Sequence, residues 1–426
     1  MNTLTRLVGG GAAALALALA PLPAVALVPA PAPAQAPVPA VGPLDLSGEL
    51  DGVPYEIRVP AAWNGTLVMY AHGYRDAADH PGETDDRSAQ AFVADPVEDM
   101  MLAAGYAVAG SAYRSNGWAV ADGIHDTKAL VNHFRETVAK PRTTLLAGFS
   151  MGSVVAMESI EKHGGVYDGA MPACAVGAGA SRTWDSTLAF AMAYDAVFGW
   201  PTAWGTPADI RDDLDFESEV LPVVYAELAK PGGGAKLEFL RRVLRAPQGP
   251  EWPGGVGFFA TEGRAELERR AGGPVTQNAD HTYTLGPDDR GALLGLGLTE
   301  AQLDGWLADM MSSRVAAVPG PRRYVQRYAD YTGRVDGPVL TLGTTVDALV
   351  VPAQISAYTA TVASAGRSSL LASAWVDRTG HCNFTPQQLL TSVRALDHWA
   401  QTGQRPPAFP TAEGFVGHTP PPWPQP

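Results

Sequence analysis

The sequence predicts an α/β fold in which helices cover both faces of a mostly parallel sheet. Two observations predict it. Short, continuously apolar segments recur along the chain, which is typical of strands buried on both faces. Longer stretches with helical periodicity separate most of these segments, and such alternation is typical of parallel sheets. An apolar fraction of 46% in 426 residues is enough for one large core.

The elements follow in chain order. Residues 44–60 alternate in short runs broken by Asp51 and Gly52, which predicts an antiparallel hairpin and makes the sheet mixed. The predicted buried strands are 66–71, 106–110, 143–147, 169–174, 339–342 and 370–376. The predicted helices that accompany them are 88–104, 121–139, 153–163, 353–365 and 386–402.

One long gap interrupts the alternation. Residues 182–330 contain no comparable apolar strand, and a structureless loop of that length is uncommon in a compact domain. We interpret them as a helical cap inserted over the C-terminal edge of the sheet, between core parts 44–181 and 331–404. The helical patterns there are 219–229, 235–244 and 299–312. The alternative is an independent second domain.

The two ends differ in composition from the core. Arg6 followed by an apolar run over residues 7–20 and small residues is typical of a secretory signal peptide, too short for a membrane span. We expect cleavage after Ala26, with Ala34 as the alternative, so residues 1–26 form the leader and 27–43 a Pro/Ala-rich linker. Residues 405–426 are rich in proline and predict a loose tail.

Charge and motifs exclude several classes of partner. A formal net charge of −14 argues against nucleic acid and against an anionic membrane surface. No second long apolar run follows the leader, so we expect a soluble, exported protein. The sequence contains no phosphate-binding loop, dinucleotide fingerprint, HExxH pair or calcium loop. We therefore predict neither a cofactor nor a metal, and the residues carry no signal of oligomeric state.

The chain has two cysteines, Cys174 and Cys382. In an oxidising compartment an isolated pair is more often a disulfide than two free thiols. The alternative is two buried, unreactive thiols. Two cysteines are too few to complete a zinc site.

Ser150 lies in the run Gly148-Phe-Ser-Met-Gly152, between a predicted strand and a predicted helix. A sharp strand-to-helix turn lifts a serine hydroxyl above the sheet and requires small residues at both flanking positions. With 46 glycines in the chain, chance supplies such flanks at roughly one serine in a hundred, so context must decide.

This run resembles the nucleophile motif of the α/β-hydrolase superfamily, and the resemblance extends over residues 44–182 and 337–402. It implies a triad in the chain order serine, acid, histidine. Asp347, after strand 339–342, matches the acid-bearing loop; its alternative is a turn or helix-capping aspartate. Asp377 is a competing acid, although its position at a strand end favours a role in closing the loop.

His381 matches the superfamily's histidine loop, because it follows a glycine and precedes a helix opened by Thr385 and Pro386. Among nine histidines only this one has that placement; the alternative is a solvent-facing loop histidine. In the implied chemistry His381 takes the proton from Ser150, and Asp347 holds the imidazole.

The resemblance also implies an oxyanion hole and a pocket. The two amides are those of Met151 and Tyr74, with Gly73 as the alternative to Tyr74. We interpret His72 as a packed structural histidine. Trp118 follows the fourth strand and either lines the substrate pocket or packs in the core.

In the implied fold both cysteines lie at the active edge, so a bridge between Cys174 and Cys382 would tie the histidine loop to the sheet. The prediction is an exported serine hydrolase that cleaves a small-molecule or polymeric carboxylic ester through an acyl-Ser150 intermediate. The alternatives are an aminopeptidase of the same fold and a catalytically inactive binding protein.

Overall fold

The computed structural model describes residues 41–77 and 85–423. The predicted signal peptide, nearly all of the linker and both candidate cleavage sites lie outside the described residues. The described residues all belong to one compact unit, Val38–Pro426. Within the two described ranges, none of the helices combines the length and the apolar character that a membrane span needs.

Eleven strands occur in the described residues. They are β1 (Leu44–Leu50), β2 (Val53–Val59), β3 (Thr66–Ala71), β4 (Ala107–Ser111), β5 (Thr143–Phe149), β6 (Gly169–Ala173), β7 (Gly205–Thr206), β8 (Asp209–Ile210), β9 (Val339–Val346), β10 (Leu371–Thr379) and β11 (Phe415–Val416). Nine of them form one sheet in the order β1-β2-β4-β3-β5-β6-β9-β10-β11, and β7 pairs with β8 alone. All six predicted buried strands and the predicted hairpin are confirmed.

The sheet is mixed, as predicted. Strands β4, β3, β5, β6, β9 and β10 are parallel, while β1 and β2 form the antiparallel hairpin at one end. Leu44 lies opposite Val59 in that hairpin, and Asp51 and Gly52 make its turn. Because the central strands are parallel, the loops after β5, β9 and β10 leave the sheet at the same edge.

Thirteen α-helices occur in the described residues. They are α1 (Asp95–Ala103), α2 (Val120–Thr137), α3 (Met151–Lys162), α4 (Ala180–Phe198), α5 (Leu221–Leu228), α6 (Gly233–Val243), α7 (Gly254–Ala260), α8 (Glu262–Ala271), α9 (Pro287–Gly295), α10 (Glu300–Ser312), α11 (Pro319–Ala329), α12 (Ala353–Ser364) and α13 (Pro386–Thr402).

Helices cover both faces of the sheet, which confirms the predicted fold class. Side chains alternate along β3, so Leu67 and Met69 pack in one apolar cluster and Val68 and Tyr70 in another. The first cluster contains apolar side chains of α2, α3 and α12, and the second contains those of α1 and α13. Each layer therefore buries one face of the central strands.

One predicted helix is too long at its start. The sequence predicted helix from residue 88, but α1 begins at Asp95 and Ala94 has an extended backbone. Pro96 occupies the first turn of α1. Proline lacks an N–H donor and its ring clashes with the carbonyl four residues earlier, so a helix cannot continue upstream through it.

Helices α4 to α11 lie between β6 and β9, and we call residues 180–329 the inserted segment. Its apolar side chains form a third cluster, centred on α4, α6 and α10. The three helices predicted there occur as α5, α6 and α10, each within two residues of the predicted bounds. The other five helices were not predicted. The domain boundaries 44–181, 182–330 and 331–404 stay predictions.

The prediction of a loose tail is wrong for residues 405–423. Strand β11 pairs with the edge strand β10, and Phe415 is buried against it. Further along, Ser356 of α12 donates hydrogen bonds to the carbonyl oxygens of Pro420 and Pro421, at 3.2 and 2.8 Å. Proline carbonyls are acceptors although proline has no donor, so a Pro-rich segment can be fixed through its acceptors.

Candidate active site

Ser150 lies on the turn between β5 and α3, as the sequence predicted. Its backbone has φ of 55° and ψ of −121°, a strained conformation for a residue with a side chain. A Cβ on Gly148 would lie 2.0 Å from the carbonyl oxygen of Gly152, and a Cβ on Gly152 would lie 2.0 Å from that of Ala71. Both glycines are therefore required by close backbone approach.

The structure brings Ser150, His381 and Asp347 together. The Oγ of Ser150 lies 2.8 Å from Nε2 of His381. Nδ1 of the same imidazole lies 2.7 Å from Oδ2 of Asp347. A neutral imidazole with its proton on Nδ1 donates to the carboxylate and accepts from the serine hydroxyl. The three residues thus form one continuous hydrogen-bond chain.

Asp347 is fixed by its own loop. Its carboxylate is buried, and its Oδ1 accepts hydrogen bonds from the amides of Leu349 at 3.0 Å and Val350 at 2.8 Å. The competing acid, Asp377, is exposed, and its carboxylate accepts a long hydrogen bond from Thr345. The acid that faces the imidazole is therefore Asp347.

The loop that carries His381 is tied to the sheet edge. A disulfide joins Cys382 to Cys174, which follows β6, with the two Cα atoms 5.1 Å apart. The amide of Gly380 donates to the carbonyl of Val346 at 2.8 Å, which links the histidine loop to the acid loop. Helix α13 then begins behind a Thr385 cap, as the sequence predicted. The predicted disulfide is confirmed.

The amides expected to form the oxyanion hole lie beside Ser150. Met151 is the first residue of α3, where helix geometry leaves an N–H without an intrahelical acceptor. In the described part of the chain, the amides of Gly73 and Tyr74 have no hydrogen-bond acceptor either. A Cβ on Gly73 would lie 3.4 Å from the Cβ of Ser150. Among the described residues, amides without an acceptor are thus present next to the hydroxyl.

His72 has the environment of a packed structural histidine. It is buried, its ring stacks on Tyr113 at 3.8 Å, and its Nδ1 and Nε2 face the carbonyls of Gly73 and Ala112 at 2.8 and 3.3 Å. Burial, with a smaller contribution from Arg75, lowers the pKa of His72 to about 4. The imidazole is therefore neutral at pH 7, and it has no contact with Ser150 that would make it a base.

A cavity of about 300 Å³ opens at Ser150 and extends between the sheet edge and the inserted segment. Trp118 lines it, as the sequence proposed. The ring of Trp118 packs edge-on against Trp184 at 5.1 Å, and its amide donates to buried Glu266 at 2.8 Å. The wall is rich in large apolar side chains: Tyr74, Trp118, Trp184, Trp252, Val256, Phe259 and Leu349.

Sequence reasoning missed parts of this cavity. Trp423, in the segment predicted to be loose, lines it. Glu251 was also missed, although its carboxylate contacts the main chain of His381. Neither residue carries a local motif, so only the folded chain reveals its position.

Possible metal ligands are few in the described ranges. One group of three, Cys174, His381 and Cys382, has its donor atoms within 4.8 Å of one another. Both sulfurs are bound in the disulfide, so neither can act as a thiolate ligand. The group therefore does not fit a metal ion.

No model of a protein family matches this chain, and no curated protein matches it. Solved structures with a distant similarity include an esterase of Pyrococcus furiosus, with 14% identity, 85% of this chain and 91% of the other covered, and a TM-score of 0.39. A proline iminopeptidase of Mycobacterium smegmatis has 11% identity and a TM-score of 0.41, with 85% of this chain and 100% of the other covered. A rice cell wall degrading esterase of Xanthomonas oryzae has 14% identity and a TM-score of 0.35, with 82% of this chain and 85% of the other covered.

Similarities this distant say nothing about substrate, so the fold is argued from the chain itself. The serine turn follows β5, the acid follows β9 and the histidine follows β10, all at one edge of a mostly parallel sheet. The serine, acid and histidine also follow one another in the chain order expected of this architecture. This is the α/β-hydrolase fold.

Proposed function

We propose that this protein is an exported serine hydrolase that cleaves carboxylic esters through an acyl-Ser150 intermediate. The observation that carries the proposal is the hydrogen-bond chain from Ser150 through His381 to Asp347, at 2.8 and 2.7 Å. A serine hydroxyl is a weak nucleophile unless an adjacent base removes its proton, and this chain supplies an oriented base.

In the acylation half-reaction, Oγ of Ser150 attacks the ester carbonyl carbon while Nε2 of His381 takes the hydroxyl proton. Asp347 stabilises the resulting imidazolium through Nδ1. The carbonyl oxygen becomes an oxyanion and accepts hydrogen bonds from the amide of Met151 and from that of Tyr74 or Gly73. Collapse breaks the ester C–O bond, and the imidazolium gives its proton to the departing alcohol.

Deacylation repeats these steps with water. Nε2 of His381 takes a proton from the water as its oxygen attacks the acyl carbon, and the same two amides accommodate the second oxyanion. The bond to Oγ then breaks, and the proton returns to Ser150. The products are one carboxylic acid and one alcohol for each water consumed.

The cavity favours an ester over an N-terminal aminoacyl substrate. A free N-terminus carries a positive charge, and its recognition in a partly buried pocket requires an unpaired carboxylate. Asp185 lines the cavity, but it forms a two-point ion pair with Arg322, with both N–O distances at 2.8 Å. Asp280, the other aspartate lining the cavity, is exposed to solvent. The large apolar wall suits an apolar acyl or alcohol group.

Chromogenic acyl esters assayed beside aminoacyl anilides test the proposal. We expect turnover of the esters and labelling of Ser150 by a fluorophosphonate, detected by mass spectrometry of the peptide. Turnover of the anilides alone would make the protein a peptidase. Folded protein without an adduct on Ser150 would make it a binding protein of hydrolase fold.

Export is the second part of the proposal and rests on the leader at residues 1–26 and on the disulfide. Expression of the full chain with separate assay of medium and cells tests it. We expect mature protein outside the cytoplasm with Leu27 at its N-terminus, or Gln35 if the alternative site is used. Full-length chain retained in the cytoplasm would contradict export.

A further inference from the structure

A carboxylate from the inserted segment contacts the main chain of the base. Glu251 lies in the turn before α7, and its Oε1 accepts a hydrogen bond from the amide of His381 at 2.6 Å. The carbonyl oxygen of Glu251 accepts the amide of Gly255 at 2.9 Å, so the residue is fixed on its own side as well. This is a direct link between the inserted segment and the histidine loop.

The same turn touches the acid loop. A Cβ on Gly249 would lie 2.9 Å from the Cβ of Ala348, the residue after Asp347. Residues 249–252 therefore pack against both loops that carry the imidazole and its carboxylate partner. Because Trp252 of this turn also lines the cavity, the turn joins the substrate side of the site to its reacting groups.

The surroundings of the second carboxylate oxygen of Glu251 give an independent indication that the residue has a specific role. Oε2 of Glu251 is buried, and within the described part of the chain it has no hydrogen-bond partner. Burying a carboxylate oxygen without a partner is unfavourable, and buried polar groups in folded proteins are nearly always paired. An apolar side chain would pack better at this position. The structure therefore offers one reason for a glutamate here, which is the hydrogen bond that Oε1 accepts from His381.

We propose that Glu251 is a positioning residue that aligns His381 for proton transfer, an inference that rests on the proposed function. An anchored amide fixes the Cα of His381, and the disulfide at Cys382 fixes the next residue. The ring is then left with its two side-chain torsions, which Asp347 and Ser150 set. Displacements well below 1 Å at a base lower the rate, so this anchor acts on turnover and not on substrate affinity.

Two substitutions separate the hydrogen bond from the charge. Glu251→Asp keeps the charge but shortens the side chain by one methylene, so the carboxylate no longer reaches the amide. Glu251→Gln loses the charge but keeps an oxygen that can accept the same hydrogen bond. For Glu251→Asp we expect kcat to fall by about 10- to 100-fold with KM within about 2-fold. For Glu251→Gln we expect kcat within about 5-fold of the original.

Glu217→Asp is the matched control, because Glu217 is an exposed glutamate of the same inserted segment. Equal losses in Glu251→Asp and Glu251→Gln, or a loss in Glu251→Gln alone, would overturn positioning, since the charge would then matter more than the contact. A rise in KM that accounts for the whole loss would overturn it as well. Thermal unfolding of each variant is measured to show that it is folded.

Hydrogen exchange tests the contact without any substitution. In the unmodified protein we expect the amide of His381 to exchange slowly, because its acceptor is a buried carboxylate. Exchange at the rate of an unstructured amide would overturn the inference even if neither variant folded. The outcomes remain distinct from those for the proposed function. Absence of ester turnover and of a Ser150 adduct defeats the function, whereas normal turnover in Glu251→Asp defeats only the role of Glu251.

Discussion

The sheet and the inserted segment differ in what they bury. The central strands bury mainly apolar side chains and a few uncharged threonines, and the reacting groups stand on loops at the strand ends. In the inserted segment, helix α8 buries charge: Glu262, Arg264, Glu266 and Glu268 are each at most 6% exposed. An apolar sheet is a rigid support for chemistry, whereas a helix with buried charges depends on a specific partner for each group.

One of the groups that pair with the buried charges of α8 belongs to the cavity wall. Glu266 accepts the amide of Trp118 at 2.8 Å and pairs with Arg270 at 2.8 Å. Burial raises the pKa of Glu266, and Arg270 opposes the rise. Arg264 is fully buried, and burial lowers its pKa. The inserted segment therefore shapes the pocket through polar contacts, which a pattern of apolar residues in the sequence does not predict. The comparison predicts large catalytic or stability effects at the sheet edge and smaller, substrate-dependent effects where the inserted segment lines the cavity.

The largest effect is expected at the nucleophile. Ser150→Ala removes the atom that attacks the ester, so kcat for a chromogenic ester should fall by roughly 10⁴-fold or more. Steady-state assays together with fluorophosphonate labelling measure the loss. The substitution leaves the sheet intact, and its thermal unfolding should match that of the original. Activity within 10-fold would show that chemistry occurs elsewhere on the molecule.

Loss of the disulfide is expected to have the next largest effect. The bridge spans a sequence separation of 208 residues, and closing a loop of that length stabilises the fold by roughly 5 kcal/mol in the chain-entropy model. Urea unfolding of the double variant Cys174→Ser, Cys382→Ser measures the difference, with the reduced original protein as the matched control. Unchanged unfolding midpoints would mean that the bridge constrains neither state.

Acid sensitivity should follow from His72. Its pKa is about 4 in the folded protein, below the ordinary value of 6.5, so the unfolded chain binds a proton more readily between these values. Stability is therefore complete above pH 6.5 and is lost as pH falls toward 4. We expect this residue to account for about 2 to 3 kcal/mol of unfolding free energy between pH 7 and 4.5.

His72→Gln should lack that part of the slope, which chemical unfolding at the two pH values measures. Glu158 acts in the opposite direction, because burial raises its pKa to about 7 and its folded form gains stability as pH falls. Glu158 is present in both proteins, so its contribution cancels in the comparison. Parallel slopes would show that His72 does not titrate in this range.

The smallest effect is expected in the inserted segment. Phe259 of α7 lines the cavity, where its ring packs edge-on against Tyr74 at 5.3 Å. Phe259→Ala should raise KM about 10-fold for esters with bulky apolar acyl groups and leave acetyl esters nearly unaffected, because only large groups use that wall. Phe258→Ala is the matched control, since Phe258 does not line the cavity. Equal effects on both acyl classes would contradict a role in selectivity.

The difference between the sheet and the inserted segment also explains how much of the structure the sequence predicted. Buried parallel strands are short apolar runs, so all six were found. Ser150, Asp347 and His381 at their ends followed from the resemblance to the α/β-hydrolase motifs together with their position and order. Glu251 has no such signal, because its partner is a main-chain amide 130 residues away. Contacts to a backbone leave no trace in the identity of the partner residue.

The sequence failed to predict helices α4 and α8 for opposite reasons. Thirteen of the 19 residues of α4 are buried, so it has no polar face and no amphipathic period. Helix α8 is charged along its length yet buried, so its pattern predicts a solvent-exposed element. In both helices tertiary packing overrides the periodicity that sequence reasoning uses. The prediction of a loose tail was wrong for a similar reason, since a high proline content does not indicate which carbonyl oxygens accept hydrogen bonds, as those of residues 420 and 421 do.

The disulfide has a mechanical consequence as well. Cys174 precedes the inserted segment and Cys382 follows it, so residues 180–329 lie entirely inside the covalent loop. A force applied between the two ends of the chain passes through the sulfur–sulfur bond and bypasses that loop. Stretching would therefore extend the six strands before Cys174 and the final helix, while the part of the pocket wall that the inserted segment supplies carries no tension.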